Sequence, residues 1–192
     1  MKRIHLIHGF NEEHENQQPA IAMLVPLLER DGHKVMVHDY GELHLLETTA
    51  NDNIARLIYP SIRPGDTLVG FSNGAAIISH LQDMGVETPR LVLIQPALNN
   101  EWVPNKYTER VAVFWNSGDI ATKAGKWYRR LTTLFPWNWR KPHRWGEMGS
   151  TGYVGKDKRF VQYNTKTYGV AGHSDWSLPA NLVLRELIVS YV

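Results

Sequence analysis

The stretch Gly70-Phe71-Ser72-Asn73-Gly74 follows an apolar run at 66–69 and precedes a run with helical spacing at 75–84. A G-x-S-x-G sequence between a strand and a helix is typical of a sharp turn that presents the serine hydroxyl from a strained backbone. Side chains at positions 70 and 74 would collide in such a turn, so both positions require glycine. The stretch therefore predicts a strand, a turn and a helix, with Ser72 as a catalytic nucleophile.

An alternative interpretation of this stretch is a glycine-rich turn without chemistry, or a phosphate-binding loop at the start of a helix. No lysine follows Gly74, so the Walker form of such a loop is absent. The strand before the turn and the helix after it favour the nucleophile.

A serine hydroxyl is a weak nucleophile and needs a general base that a carboxylate orients. Downstream, the apolar run 111–115 leads into Asn116-Ser117-Gly118-Asp119, which places a carboxylate after a predicted strand. Much later, His173 follows a glycine turn. The chain order Ser72, Asp119, His173 matches the order that accompanies this kind of turn. We predict that these three residues form a catalytic triad.

Two other carboxylates are candidates for the acid. Glu101 follows the strand after that of the nucleophile, and Asp175 lies two residues beyond His173. Asp175 is too close in sequence to His173 to fold back onto the imidazole. Asp119 directly follows an apolar strand in the sequence Ser-Gly-Asp, so Asp119 is preferred as the acid. A structural loop histidine is the alternative for His173, since the chain has nine histidines.

With this triad order, the chain resembles the α/β-hydrolase superfamily over most of its length. The predicted strand 2–7 runs into His8-Gly9-Phe10, and members of the superfamily often carry a His-Gly pair after an early strand. The resemblance implies an oxyanion hole formed by the backbone N–H groups of Phe10 and Asn73. We interpret His8 as a histidine that bonds neighbouring loops.

Predicted strands and helices alternate along the chain. Strands are predicted at 2–7, 34–38, 66–71, 90–95, 111–115 and 167–171, and helices at 19–31, 50–59, 75–84 and 179–191. Pro26 predicts a kink or an early break in the first helix. The alternation predicts one α/β domain over 1–192, a mostly parallel sheet of about five to six strands with helices on both faces. The resemblance implies a compact form of the α/β-hydrolase fold, and sites in such sheets lie at the carboxyl ends of the strands.

Residues 120–166 are predicted to form a cap-like insertion before the last strand. Residues 123–166 contain eleven Lys or Arg, two acidic residues and four of the seven tryptophans of the chain. Interleaved basic and aromatic residues suit an anionic partner, whereas a small subdomain with its own tryptophan core is the simpler alternative. The candidates for substrate binding are Trp145, Trp176 and Asn11.

The composition is ordinary for a globular protein and limits the function classes. Of the 192 residues, 43% are hydrophobic and 21% are charged, and no run is long enough to span a bilayer. The lack of cysteine excludes thiol catalysis and fits a reducing compartment. The start Met1-Lys2-Arg3-Ile4 could mimic a signal peptide, but His5 and His8 interrupt the apolar stretch. We therefore expect a cytoplasmic protein.

Together these residues predict a serine hydrolase. The preferred class is a carboxylic-ester hydrolase. Its substrate would be a small-molecule or polymeric ester, with an anionic substrate as one option. No metal-binding motif or dinucleotide fingerprint occurs, so we expect no metal, no cofactor and no nucleic acid. The alternatives are a non-catalytic hydrolase-fold protein that binds an anionic partner, and an acyltransferase or peptidase with the same triad. The sequence predicts no oligomeric state.

Overall fold

The computed structural model of the chain describes residues 1–9, 19–41, 50–124 and 145–192. The strands in these ranges are β1 (Arg3–Ile7), β2 (Lys34–His38), β3 (Thr67–Phe71), β4 (Arg90–Ile94), β5 (Arg110–Trp115) and β6 (Phe160–Asn164). They form one sheet in the order β2-β1-β3-β4-β5-β6, in which every neighbouring pair is parallel. The predicted α/β architecture with a mostly parallel sheet is confirmed.

The middle of the sheet is buried on both faces. All five residues of β3 are buried, and four of the five residues of β4 are buried in succession. Such continuous burial is expected for parallel strands that are covered by helices on both sides. The edge strand β2, in contrast, has only half-buried and exposed residues. The strand that leads to Ser72 is therefore buried along its whole length.

Helices pack on both faces of the sheet, as predicted. They are α1 (Val25–Arg30), α2 (Ala50–Ile58), α3 (Asn73–Asp83), a short helix at Met148–Thr151 and a C-terminal helix at Leu182–Ser190. On one face, α2 and α3 contribute Ile54, Ile58, Ile77 and Leu81 to the core. On the other face, α1 and the C-terminal helix contribute Leu28, Leu184 and Ile188. None of the helices in the described ranges is long and apolar enough to cross a membrane.

The first predicted helix changes type at Pro26. Residues Ala20–Leu24 form a 3-10 helix, and α1 begins at Val25 with Pro26 in its first turn. A proline has no backbone N–H to donate to the preceding turn, but the first turn of an α-helix needs no such donor. The predicted break is confirmed, and the proline marks the place where α1 starts.

The last strand does not lie at 167–171, where it was predicted, but at Phe160–Asn164. Residues Thr165–Tyr168 instead form a 3-10 helix that ends at Gly169, which has a φ of 84°. The predicted cap, residues 120–166, includes this segment because basic residues continue to Lys166. As the edge strand of the sheet, β6 tolerates half-buried polar residues that a central strand would not. Residues 125–144 of the predicted cap lie outside the described residues, so the cap itself stays a prediction.

Gly70 and Gly74 are in close contact with neighbouring backbone, as the sequence predicts. A Cβ on Gly70 would lie 2.7 Å from Ile78 Cδ1 and 2.9 Å from the backbone nitrogen of Ala75. A Cβ on Gly74 would overlap the carbonyl oxygen of Ile7 at the end of β1. The first turn of α3 thus packs directly on the neighbouring strand, and only glycine fits at both positions.

Gly74→Ala is expected to lower the free energy of unfolding by about 3 kcal/mol or more, because backbone atoms of β1 would have to move. Chemical denaturation monitored by circular dichroism measures the change. The control is Gly85→Ala, where φ is 84° and nothing lies within 4 Å of the added Cβ. That variant reports backbone strain alone and should lower the free energy of unfolding by about 1 kcal/mol. Equal costs for the two variants would contradict the close packing at Gly74.

A buried polar network joins β1, β2 and the start of β3. Asp66 accepts hydrogen bonds from Arg3 and from the backbone N–H of Arg63, and its Oδ2 lies 2.9 Å from His5 Nε2. The other ring nitrogen of His5, Nδ1, lies 2.8 Å from His38 Nε2, and the two rings are stacked. Burial, together with the positive charge that His5 would carry, lowers the pKa of His38 to about 4. Burial also lowers the pKa of His5.

This network predicts that the protein loses stability in mild acid. Histidines in the unfolded chain bind protons with a pKa of about 6.5, whereas folded His38 stays neutral down to about pH 4. The unfolded state therefore binds more protons in this window, so stability is full above pH 6.5 and falls toward pH 4. We expect a loss of about 3 kcal/mol from His38 between pH 6.5 and pH 4 in urea unfolding curves. His38→Gln should flatten this dependence, and an unchanged slope in that variant would contradict the assignment.

Candidate active site

Ser72 lies in a strained turn between β3 and α3. Its φ is 51° and its ψ is −116°, a combination that residues other than glycine rarely adopt. The turn is fixed on both sides, because Ser72 N–H donates to the carbonyl of Ile94 and Ser72 C=O accepts from Ala97 N–H. Strain held in place by the surrounding structure is typical of functional sites. The local geometry is that of the predicted turn.

His173 and Asp119 form a direct hydrogen bond. His173 Nδ1 lies 2.7 Å from Asp119 Oδ2, and the Asp119 side chain is fully buried. Asp119 Oδ1 accepts from the backbone N–H of Thr122, in the helical residues 120–124. An ionised carboxylate can only accept, so Nδ1 carries the proton in this bond and Nε2 keeps its lone pair. The arrangement leaves Nε2 able to act as a general base.

Asn116 ties the loop of the acid to the loop of the histidine. Its Nδ2 donates to the carbonyl of Val170 at 3.0 Å, and its Oδ1 accepts from Gly118 N–H at 2.8 Å. A Cβ on Gly118 would lie 3.1 Å from the carbonyl oxygen of Ala171, so the two loops touch. Sequence analysis quoted Asn116 as part of the loop but gave it no role.

The histidine loop also packs on the strand that carries the nucleophile. The ring of His173 lies over the ring of Phe71, the residue before Ser72, with 5.0 Å between the ring centroids. The structure thus brings His173 and Asp119 into contact and packs the imidazole beside the turn that holds Ser72. All three lie at the carboxyl end of the sheet, where such sites form.

The other two carboxylates have different surroundings. Glu101 is exposed in the loop after β4. Asp175 accepts a 2.7 Å hydrogen bond from the backbone N–H of Gly172, so its carboxylate stabilises the turn that presents His173. The carboxylate on His173 Nδ1 is that of Asp119.

Only one side of the predicted oxyanion hole lies in the described residues. Asn73 is the first residue of α3, so its N–H is one of those that a helix leaves without an intrahelical partner. On the other side, a Cβ on Gly9 would lie 3.1 Å from Ser72 Cβ, which places the chain at Gly9 against the nucleophile. Phe10 and Asn11 lie outside the described residues, and their roles stay predictions.

His8 is a structural residue, as interpreted from the sequence. Its Nδ1 lies 2.7 Å from the carbonyl oxygen of Gly9, and its Nε2 accepts from Tyr40 N–H. The ring stacks on Tyr40, whose hydroxyl donates to the carbonyls of His8 and Gly9. Burial lowers the pKa of His8, so the ring is neutral and its two nitrogens have fixed roles. His8 thereby fixes the chain that leads to Phe10.

The two tryptophan candidates have different positions. Trp145 is half-buried, and its indole N–H donates to Asn73 Oδ1 at 2.7 Å, next to Ser72. Trp176 is 0% exposed and packs edge-on against Phe71 in the core between the sheet and the C-terminal helix. The prediction for Trp176 was wrong, because a side chain with no accessible surface does not contact a substrate.

Gln95 is a site residue that sequence analysis missed. It follows β4 with a φ of 41°, one of two non-glycine residues with positive φ in the described chain. Its buried side chain donates from Nε2 toward Thr165 Oγ1 and toward the carbonyl of Gly172, each at 3.4 Å. Gln95 therefore helps to hold the loop that carries His173. Its place directly after an apolar strand was the available signal.

The glycines of 145–153 are close-packing residues. A Cβ on Gly146 would lie 2.5 Å from Asn99 Cα, and a Cβ on Gly149 would lie 2.8 Å from the carbonyl carbon of Gln95. These glycines let the chain that returns from the predicted cap pack against the loop after β4.

Solved structures resemble this chain over nearly its whole length. A protein assigned to the α/β superfamily of hydrolases, from Xanthomonas campestris pv. campestris, is 16% identical, with 99% of each chain covered and a TM-score of 0.52. The esterase domain of a Rhodothermus marinus protein is 12% identical, with 99% of this chain and 85% of that chain covered and a TM-score of 0.56. A monoacylglycerol lipase from Paleococcus ferrophilus is 13% identical, with coverage of 99% and 95% and a TM-score of 0.55.

Sequence comparison adds nothing to these structural matches. No protein-family model matches the chain, and no curated protein matches it either. At identities of 12–16%, the structural likeness establishes the fold alone. The chain has the α/β-hydrolase fold, as the resemblance of its motifs implied.

Proposed function

We propose that this protein is a serine hydrolase that cleaves carboxylic esters, with Ser72 as nucleophile, His173 as base and acid, and Asp119 as orienting acid. The 2.7 Å bond between His173 Nδ1 and the fully buried Asp119 carries the proposal. Besides accepting from Thr122 N–H, the buried carboxylate on Nδ1 prepares Nε2 to take a proton. The strained Ser72 at the same edge of the sheet supplies that proton.

Acylation follows from these roles. Ser72 Oγ attacks the ester carbonyl carbon while His173 Nε2 takes the hydroxyl proton, and the carbonyl π electrons move to oxygen. The N–H groups of Asn73 and Phe10 are assigned to this oxyanion, where one donor is worth about 3–4 kcal/mol. When the carbonyl re-forms, the bond to the alcohol oxygen breaks, and His173 returns the proton to the leaving alcohol. Ser72 is left as an acyl ester.

Deacylation repeats the same steps with water. His173 Nε2 takes a proton from a water molecule, whose oxygen attacks the acyl carbon. Collapse of the second oxyanion breaks the bond to Ser72 Oγ, which recovers its proton from His173. The products are a carboxylic acid and the free enzyme. Asp119 accepts from Nδ1 throughout and stabilises the imidazolium that forms in each half-reaction.

An ester is the preferred substrate class over an amide or an acyl acceptor other than water. Two of the proteins with similar folds are described as an esterase domain and as a monoacylglycerol lipase. A peptidase or an acyltransferase would use the same three residues, since the pocket shape selects the substrate and the acceptor. These two activities are the alternatives that a substrate series separates.

The test is a substrate series of p-nitrophenyl acetate, butyrate and octanoate, with the corresponding p-nitroanilides in parallel. We expect turnover of the esters well above that of Ser72→Ala, and amide hydrolysis far slower than ester hydrolysis. Comparable ester and amide rates would indicate a peptidase instead. No turnover of any ester above the Ser72→Ala background would contradict the proposal.

A further inference from the structure

Three side chains form a hydrogen-bond array beside the nucleophile. Asn73 and Asn51 pair through both of their amides, with Nδ2 to Oδ1 distances of 2.8 and 2.9 Å. Asn73 Oδ1 also accepts from Trp145 Nε1 at 2.7 Å. The array joins the start of α2, the start of α3 and the chain that returns from the predicted cap.

The array fixes the indole of Trp145. Asn73 is 1% exposed, and its Oδ1 accepts two hydrogen bonds while its Nδ2 donates one. Turning this amide would break three bonds in a place where water cannot replace them, so its orientation is strongly held. The indole N–H is therefore directed onto an acceptor that belongs to the residue after Ser72.

The backbone beside Trp145 is held as well. Gly146 packs against the backbone of Asn99, in the loop after β4. Near the start of the same loop, Ala97 N–H donates to the carbonyl of Ser72. Trp145 is thus positioned through its side chain and through its neighbour, and the residue as a whole is half-buried.

The proposed chemistry fixes two of the directions around the acyl carbon. In the acyl-enzyme, the carbonyl oxygen points to Asn73 N–H, and the acyl carbon is bonded to Ser72 Oγ. The alcohol lies toward His173, because His173 protonates it as it leaves. The acyl chain is the remaining substituent of that carbon, and the array holds Trp145 beside the residue that follows Ser72.

We propose that the carboxamide of Asn73 is a positioning group that holds the indole of Trp145 as an apolar wall for the acyl chain. Trp145 is then the residue that selects esters with longer apolar acyl groups over acetate. This inference rests on the proposed function and adds the substrate preference of the same site. Asn73 has two separate roles in it, one for its backbone N–H and one for its side chain.

The kinetic test compares kcat/KM for p-nitrophenyl octanoate and acetate, because a general loss of activity cancels in the ratio. Trp145→Ala should lower the octanoate-to-acetate ratio about tenfold or more. Trp145→Phe, which keeps a ring without the N–H, and Asn73→Ala, which keeps the backbone donor, should each lower it about fivefold. Tyr107→Ala is the matched control, since Tyr107 is an exposed aromatic residue before β5 at the opposite edge of the sheet.

A structural readout accompanies the kinetics. The seven tryptophans give seven indole N–H signals in a 15N-labelled protein, and Trp145→Phe identifies the signal of Trp145. We expect that signal to exchange slowly with solvent in the wild type and rapidly in Asn73→Ala. Rapid exchange in the wild type would overturn the anchoring role of Asn73, and it can be seen even if a variant folds poorly.

The outcomes separate this inference from the proposed function. A wild type that hydrolyses esters, with an unchanged or higher ratio in Trp145→Ala, would overturn the inference alone. An unchanged ratio in both Trp145→Phe and Asn73→Ala would show that the ring needs no anchor, which also overturns it. A wild type without ester turnover would remove the proposed function and the inference together.

Discussion

Replacing Ser72 with alanine is expected to lower ester turnover by about 10⁵–10⁶-fold, the scale seen when a triad serine is removed. The alanine variant has no hydroxyl to form the acyl-enzyme, while its methyl group fits the space beside Gly9. The fold should be retained, since the Ser72 contacts that fix the turn are backbone hydrogen bonds to Ile94 and Ala97. Initial rates with p-nitrophenyl butyrate measure the loss, and thermal unfolding checks the fold.

The control for this variant is Ser190→Ala. Ser190 is exposed at the end of the C-terminal helix, where its hydroxyl donates to the carbonyl of Leu187. Its removal should leave the rate within about twofold, since surface changes away from special features are close to neutral. Ester turnover near the wild-type rate in Ser72→Ala would show that another residue is the nucleophile.

Asp119→Asn is expected to lower the rate by about 10⁴-fold, the effect in the serine-protease template. The carboxylate accepts from His173 Nδ1, whereas an amide group at that place can donate to it. The imidazole would then carry its proton on Nε2, where the base must be free, and the imidazolium would lose its counter-charge. The change should appear in kcat, because Asp119 is fully buried beneath the imidazole.

Glu101→Gln separates the two candidate acids. Glu101 is exposed, so its neutralisation should change the rate by less than about twofold. Matched assays of both variants at one pH and one ionic strength decide the assignment. If Glu101→Gln lost the activity and Asp119→Asn kept it, the acid would follow β4 and the assignment of Asp119 would be wrong.

Features set by local backbone geometry could be predicted from the sequence. The turn at Ser72 needs glycine at 70 and 74 for reasons of space, and the packing of both glycines confirms this. β2 occupies the predicted range 34–38, since a short apolar run, Val35-Met36-Val37, lies between polar residues. Each predicted triad residue follows a predicted parallel strand, and this was enough to place the three residues at the carboxyl ends of the strands.

Features set by contacts distant in sequence could not be predicted. β6 becomes a strand by pairing with β5, although the residues on either side of it belong to a basic segment of the sequence. Trp176 is buried because the C-terminal helix covers the sheet beside it, which nothing near residue 176 reveals. The side chain of Asn73 pairs with Asn51 and Trp145, which lie 22 and 72 residues away, so its partners cannot be found from the sequence near residue 73.

Covalent labelling of the wild-type protein with a fluorophosphonate tests the central claim most directly. The phosphorus centre takes the place of the ester carbonyl, loses fluoride and stays bonded to the activated serine oxygen. Peptide mapping by mass spectrometry should find one adduct per chain, on the peptide that contains Ser72, and labelling should be far slower in Asp119→Asn. An unlabelled wild type, or an adduct on another residue while Ser72 stays free, would contradict the account.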